Sequence, residues 1–191
     1  MRQSASGGSR LLHRQAAYTL VELLVVMALA AIVASLAIPS MSAFLNSQRS
    51  SSLGSAFLNS LNLARSEAIK RNARVALCKS ADSWLCTNAG GWEQGWIVFH
   101  DVNNNAVLDP GEDVIEQRGA VTVGLRLTGN VTVAHYVSYS PSGSAKLVSG
   151  AFQAGTFTLC LNPVSEPDVR QLILSSTGRA RSIRGLASDC S

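Results

Sequence analysis

The chain has 191 residues, of which 47% are hydrophobic and 15% charged, and its mean hydropathy is positive. That length suits one globular domain with an appendage and excludes two full domains. The charged fraction lies below the usual quarter for soluble proteins, as expected where part of the chain is a membrane or assembly segment. The formal charge of +4 is unevenly spread, because Arg2, Arg10 and Arg14 precede any acid. Without residues 1–17, Lys+Arg falls from 16 to 13 against 12 Asp+Glu. Bulk charge therefore excludes no partner, and only local clusters carry that argument.

Residues 1–17 are polar and basic, and the apolar run Leu20 to Ile38 follows, interrupted only by Glu22 and Ser35. A run of about 20 residues is long enough to cross hydrocarbon as a helix. No small-residue cleavage site follows it, which excludes an ordinary secretory signal peptide. The preceding arginines predict a cytoplasmic leader, with everything after Pro39 translocated. A carboxylate near the start of such a segment is costly and marks function or pairing, so Glu22 needs an explanation.

The stretch Ala16-Ala17-Tyr18-Thr19-Leu20-Val21-Glu22-Leu23-Leu24-Val25-Val26 resembles the processing signal of type IV pilins and type II secretion pseudopilins. The resemblance implies cleavage by prepilin peptidase between Ala17 and Tyr18, methylation of the new terminus, and Glu22 as the fifth mature residue. Ala17 departs from the usual glycine. Pro39 falls where many pilins have a helix-kinking proline. In a filament core a lone carboxylate is very costly. The resemblance makes Tyr18, Glu22 and Pro39 assembly residues, with the α-amino group of Tyr18, from the incoming subunit or its neighbour, as the counter-charge of Glu22.

Beyond Pro39, Leu53, Phe57, Leu61, Ala64 and Ala68 recur at spacings of three and four, with Ser55, Asn59, Asn62, Arg65 and Glu67 on the wet side. A helix from Tyr18 to about Asn72 would be about 80 Å long. Pro39 should kink it and Gly54 loosen it. The organisation predicted is a cleaved leader at 1–17, a membrane and assembly helix at 18–39, an amphipathic continuation at 40–72, and a β-rich extracytoplasmic head at 73–191.

In the head the period shortens to two. Expected strands are Val75–Lys79, Gly95–His100, Val121–Leu127, Val131–Tyr139, Thr156–Leu161, Arg170–Ser175 and Arg179–Arg184. Gly90-Gly91, Asn103–Asn105, Gly129-Asn130 and Pro141–Gly143 read as turns. The class is α+β: one long helix on an antiparallel sheet or pair of sheets. Cys78, Cys86, Cys160 and Cys190 have no CxxC spacing, and His13, His100 and His135 do not cluster with them, which argues against zinc. An even count behind an export-like start favours two disulfides. Cys78–Cys86 with Cys160–Cys190 is the expected pairing among three open connectivities.

Three blocks narrow the resemblance. They are Leu63–Asn72 (LARSEAIKRN), Gly91–Phe99 (GWEQGWIVF), and a D-x-N-x-N loop ending in Pro110-Gly111-Glu112. Together they are similar to minor pilins and pseudopilins of the FimT and GspH type, over most of residues 16–185. Trp92, Trp96 and Phe99 are expected to be core residues, not ligand contacts. In the loop Asp101–Glu112, Asp101, Asn103, Asn105, the Val107 carbonyl, Asp109 and Glu112 fall at calcium-loop positions one, three, five, seven, nine and twelve. Ala106 stands where that loop wants glycine, and the flanks read as strands. The expectation is a metal-free hairpin loop, with calcium as the lesser alternative.

From Val169 to Ala187 lie Arg170, Arg179, Arg181 and Arg184 with no acid. Gly178-Arg179-Ala180-Arg181 resembles the G-R-x-R motif that FimT-type pilins use to bind DNA. Arg179 and Arg181, two apart on a strand, share one face, and planar guanidiniums suit phosphate oxygens. Gly178 opens a turn that lets a backbone N–H approach a phosphate. Such contacts carry no base code. No GxSxG, HExxH, GxxxxGK or nucleotide-type glycine motif is present, so no enzymatic activity is expected. The resemblance implies a FimT-type minor pilin at or near a pilus tip, in contact with other pilins and catching DNA for natural transformation. The alternative is a GspH-type pseudopilin of type II secretion, structural and without DNA binding.

Overall fold

The computed structural model describes residues 19–121, 124–161 and 169–190, apart from the side chains of 36–40, 42 and 43. The chain divides into two compact units, Met1–Ser42 and Ala43–Ser191. Helix α1, Leu20–Arg71, contributes to both and runs unbroken through Pro39 and Gly54.

In the first unit every described side chain from Thr19 to Ser35 is exposed. Leu20, Met27 and Val33 are among them. Among the described residues of this unit nothing covers that apolar surface, and such a surface marks a site of association. Among the described residues no helix is both long and apolar enough to cross a membrane. Leu36, Ala37 and Ile38, which complete the apolar run, have side chains outside the description.

In the second unit α1 buries the stripe that its periodicity predicts: Leu53, Phe57, Leu61, Ala64 and Ala68. Gly54 lies on the buried side, where a β-carbon would stand 3.7 Å from Leu159 Cδ2 and 3.9 Å from Leu172 Cδ2. The helix stops at Asn72, which takes φ +49°. The Ala73 N–H donates to the Ala68 carbonyl and the Asn72 N–H to that of Ile69, both at 3.2 Å. These are the paired bonds of a Schellman termination, which satisfy carbonyls that the helix end would leave orphaned.

Eight strands follow: β1 Val75–Lys79, β2 Trp96–His100, β3 Val114–Arg118, β4 Leu125–Gly129, β5 Tyr136–Tyr139, β6 Gly155–Leu161, β7 Arg170–Leu174 and β8 Ala180–Arg184. They form two antiparallel four-stranded sheets, ordered β3-β2-β1-β5 and β4-β6-β7-β8. Both sheets contribute to one core around the α1 stripe. Phe57 is edge-to-face with Trp92, Trp96 and Phe157 at centroid distances of 5.2, 5.1 and 4.8 Å. Both indole N–H groups are satisfied, Trp92 by the Val133 carbonyl at 3.1 Å and Trp96 by Ser60 Oγ at 2.9 Å. A second cluster of Ala76, Cys78, Ile97, Phe99 and Ala106 covers the other face of the first sheet. Burial on both faces accounts for the continuous apolar runs of β1 and β2, VALCK and WIVFH, where a period of two was expected.

Two expected strands are corrected. Val131–Tyr139 divides into a 3-10 turn at Val131–Val133 and the shorter β5. Asn130 causes the break, because its carbonyl accepts the Val133 N–H at 2.9 Å and its side chain accepts Thr132 Oγ1–H. Val121–Leu127 is displaced to β4, and residues 122 and 123 lie outside the description. Strand β3 was not expected. It is an edge strand whose Val114, Gln117 and Arg118 are exposed, so it carries no strong apolar alternation.

Candidate functional site

The β7–β8 hairpin at the edge of the second sheet carries the arginines. Leu172, Leu174 and Ala180 face the core, and Leu174 is paired with Ala180. Side chains alternate, so Gln171, Ile173, Ser175, Arg179, Arg181 and Ile183 lie on the outer face. Arg181 is opposite Ile173 in the ladder. Ile173, Ser175, Arg179 and Arg181 line a surface groove of about 420 Å³. No acid lines it. Among the described residues the ion pairs join Glu67 to Lys70 and Arg71, Arg71 to Asp113, and Arg118 to Glu116; none involves Arg179 or Arg181.

The other two arginines do not join this groove. Arg170 lies on the core-facing side, where its Nη2 donates to Ser51 Oγ of α1 at 2.7 Å. Arg184 is paired with Arg170 and shares the parity of Ala180. The four basic residues therefore divide into an outer pair and an inner pair. A three-residue step from Arg181 to Arg184 changes faces, a signal present in the spacing itself.

The turn before Arg179 is tightly built. The Gly178 N–H donates to the Ser175 carbonyl at 2.8 Å, and the Ser175 N–H to that of Arg179 at 3.0 Å. Gly178 takes φ +80°, which favours glycine. The Gly178 N–H is thus occupied within the turn, and the Arg179 N–H donates to Ser175 Oγ at 3.3 Å. A residue not singled out from sequence as functional also reaches this turn. Arg65 of α1 donates from Nη2 to the Thr177 carbonyl at 3.3 Å and from Nε to the Gly143 carbonyl at 2.9 Å.

At the N-terminus, Ala17 and Tyr18 lie outside the described residues. Glu22 is exposed in the first turn of α1, and its N–H donates to Thr19 Oγ1 at 3.2 Å. Thr19-x-x-Glu22 is thus an N-cap with a carboxylate three residues later, where the helix dipole favours negative charge. Pro39 lies within α1, its side chain outside the description.

Disulfides join Cys78 to Cys86 and Cys160 to Cys190. The first closes a loop that also holds buried Lys79, whose Nζ donates to the Asn88 and Gly90 carbonyls at 3.2 and 2.7 Å. Burial pushes the Lys79 ammonium down from its ordinary range. The second ties the residues after β8 to β6.

In the loop Asp101–Glu112 the candidate oxygens are engaged within the loop. Asp101 accepts the N–H groups of Asn105 and Ala106, both at 3.0 Å. Asp109 Oδ2 accepts from Asn103 Nδ2 at 2.8 Å and Asn105 Nδ2 at 2.7 Å. Glu112 accepts the N–H groups of Val102 and Asp109 at 2.7 and 3.1 Å. Ala106 adopts φ +58°, the turn conformation for which calcium loops use glycine. Burial raises the Asp101 carboxyl, opposed by the N–H donors of Ala106 and Asn105. Among the described residues no group of three or more His, Cys, Asp or Glu side chains is placed to hold a metal.

The family described as type II transport protein GspH matches residues 54–178, and the prokaryotic N-terminal methylation motif matches residues 12–38. No curated protein is similar to the chain in sequence. Among solved structures, the type IV minor pilin FimU of Pseudomonas aeruginosa is 20% identical over 74% of this chain and 93% of its own, with a TM-score of 0.48. The minor pseudopilin EpsH from the type 2 secretion system of Vibrio cholerae is 14% identical over 71% of this chain and 97% of its own, with a TM-score of 0.49. A second EpsH crystal structure is 10% identical over 71% and 96%, with a TM-score of 0.50. The last of these is a likeness of fold alone.

Proposed function

This chain belongs to the GspH and FimT family of type IV pilin-like proteins, and we propose that it is a minor pilin of a type IV pilus that binds DNA through Arg179 and Arg181. The observation that carries this reading is the outer groove, which two arginines of one hairpin line with no carboxylate among the described residues. Such a pair suits two phosphates of a nucleic-acid backbone. Binding of this kind is sequence-blind and weakens with salt as counterions are released. Several subunits on one filament would raise avidity without any new contact. Uptake of DNA in natural transformation is the role this affinity serves.

In this reading prepilin peptidase removes residues 1–17, and the terminal Tyr18 is methylated. Residues 18–39 hold the subunit in the inner membrane, with the head on the periplasmic side, until it joins other pilins. The supports are the match to the methylation motif and the exposed apolar helix surface. Glu22 then offers its charge to the Tyr18 amino group of a packed subunit.

A second reading, a minor pseudopilin of type II secretion, is favoured by the description of the matching family as a type II transport protein. Salt-dependent DNA binding by the full chain, with and without the arginine pair, separates the two.

A further inference from the structure

We propose that Arg65 of α1 is a positioning residue for the arginine hairpin, holding the Thr177-Gly178 turn, and with it Arg179, at a fixed place on the head. This rests on the reading of Arg179 and Arg181 as phosphate contacts and concerns a residue that does not itself meet the phosphate. The Arg65 guanidinium bonds two carbonyls from different turns, Gly143 at 2.9 Å and Thr177 at 3.3 Å. They lie 78 and 112 residues further along the chain, so one planar fork ties three distant segments together.

The two turns also touch each other. A β-carbon on Gly178 would stand 2.0 Å from the Gly143 carbonyl oxygen, so the backbones meet with no room for a side chain. That same oxygen receives Arg65 Nε. On the helix side, a β-carbon on Gly143 would stand 2.7 Å from Ile69 Cδ1. Behind the turn lies Tyr139, fully buried, with Cε1 3.2 Å from a Gly178 β-carbon. Its hydroxyl has no hydrogen-bond partner among the described residues, so it gives the turn a wall but no polar anchor.

The bonds inside the turn, from Ser175 to Gly178 and Arg179, set its shape. Those from Arg65 set where that shape sits. Arg179 follows Gly178 directly, so a turn released from Arg65 must be ordered again when DNA binds, which lowers affinity. Arg65 is half-buried, and its Nε and Nη2 are directed at carbonyls. With these two donors engaged it acts on the turn, and the salt slope below separates this from a phosphate contact of its own.

The test uses the full chain in detergent micelles, with a labelled mixed-sequence DNA duplex titrated at several salt concentrations. R65Q should weaken binding about tenfold, the loss expected for one hydrogen bond from a charged donor. Its slope of log affinity on log salt should equal that of wild type. R65K, able to keep one of the two bonds, should fall between them. In parallel, R65Q should speed amide hydrogen exchange at Gly178 and Arg179 while leaving Leu172, in the β6–β7 ladder, unchanged. Wild-type affinity in R65Q would overturn the proposal. So would a slope reduced by about 0.9, which would make Arg65 a phosphate contact. Exchange that is unchanged at Gly178, or faster at Leu172 as well, would equally overturn it. If wild type fails to bind DNA, the phosphate reading fails, and the exchange result alone decides the role of Arg65.

Discussion

Gly178 packs directly on the carbonyl of Gly143: a β-carbon on Gly178 would stand 2.0 Å from that oxygen. Gly178 also holds φ +80° and Gly143 φ +75°. A left-handed backbone costs an ordinary residue roughly 1–2 kcal/mol, and the clash adds to it. Gly178→Ala should therefore lose at least about 2 kcal/mol of stability or displace the turn. Denaturation followed by the fluorescence of buried Trp92 and Trp96 measures the first outcome. A variant as stable as wild type, with unchanged DNA affinity, would contradict the packing.

The Cys160–Cys190 bridge closes a loop of 30 residues. On the loop-entropy estimate it stabilises the head by roughly 3–4 kcal/mol, and the 8-residue Cys78–Cys86 loop by roughly 2–3 kcal/mol. Cys160→Ser with Cys190→Ser should lower the denaturation midpoint more than Cys78→Ser with Cys86→Ser. Labelling of the unreduced protein should find no free thiol. A reversed order of the two double variants would mean that local packing outweighs loop length.

The helical part of this fold was legible because its signal is local. The stripe from Leu53 to Ala68 repeats at helical spacing, and burying it needs only a sheet on one side. Strands β1, β2 and β6–β8 were legible as short segments between turn signals, assigned on a period of two. Strand β3 was not, since an edge strand with an exposed outer side needs few apolar residues. The Arg179–Arg181 pair followed from a spacing of two, whereas Arg170 turned inward because Ser51 stands beside it on α1. The contacts of Arg65 could not be read at all: its acceptors are backbone carbonyls brought close only by tertiary folding. The Thr19-x-x-Glu22 cap is a sequence pattern, but it coincides with residues that the resemblance assigns to processing and assembly.

Processing and assembly give a separable prediction at that cap. In cells with prepilin peptidase, mass spectrometry of the membrane fraction should find a mature chain beginning at Tyr18 with a methylated amino group. An intact Met1 terminus would contradict it. Glu22→Gln keeps a hydrogen-bonding side chain at the third helical position, where glutamine also serves a capping box. It removes only the charge. This variant, like Glu22→Ala, should insert in the membrane yet enter filaments poorly. Thr19→Ala removes the cap, worth about 1 kcal/mol, and should assemble far better. Equal assembly defects in Glu22→Gln and Thr19→Ala would assign Glu22 to capping instead of charge pairing.

Phosphate contact by Arg179 and Arg181 shows itself in the salt dependence of DNA binding. Each contact on duplex DNA contributes about 0.9 to the slope of log affinity against log salt. Arg179→Gln with Arg181→Gln in the full micellar chain should lower that slope by about 1.8 and weaken all sequences alike. The fold should be unchanged, since both side chains are exposed. Arg49→Gln with Lys70→Gln, both exposed on α1, is the charge-matched control and should leave the slope near wild type. An equal fall in the control, or a wild-type chain that does not bind at low salt, would contradict the claim and favour the pseudopilin reading.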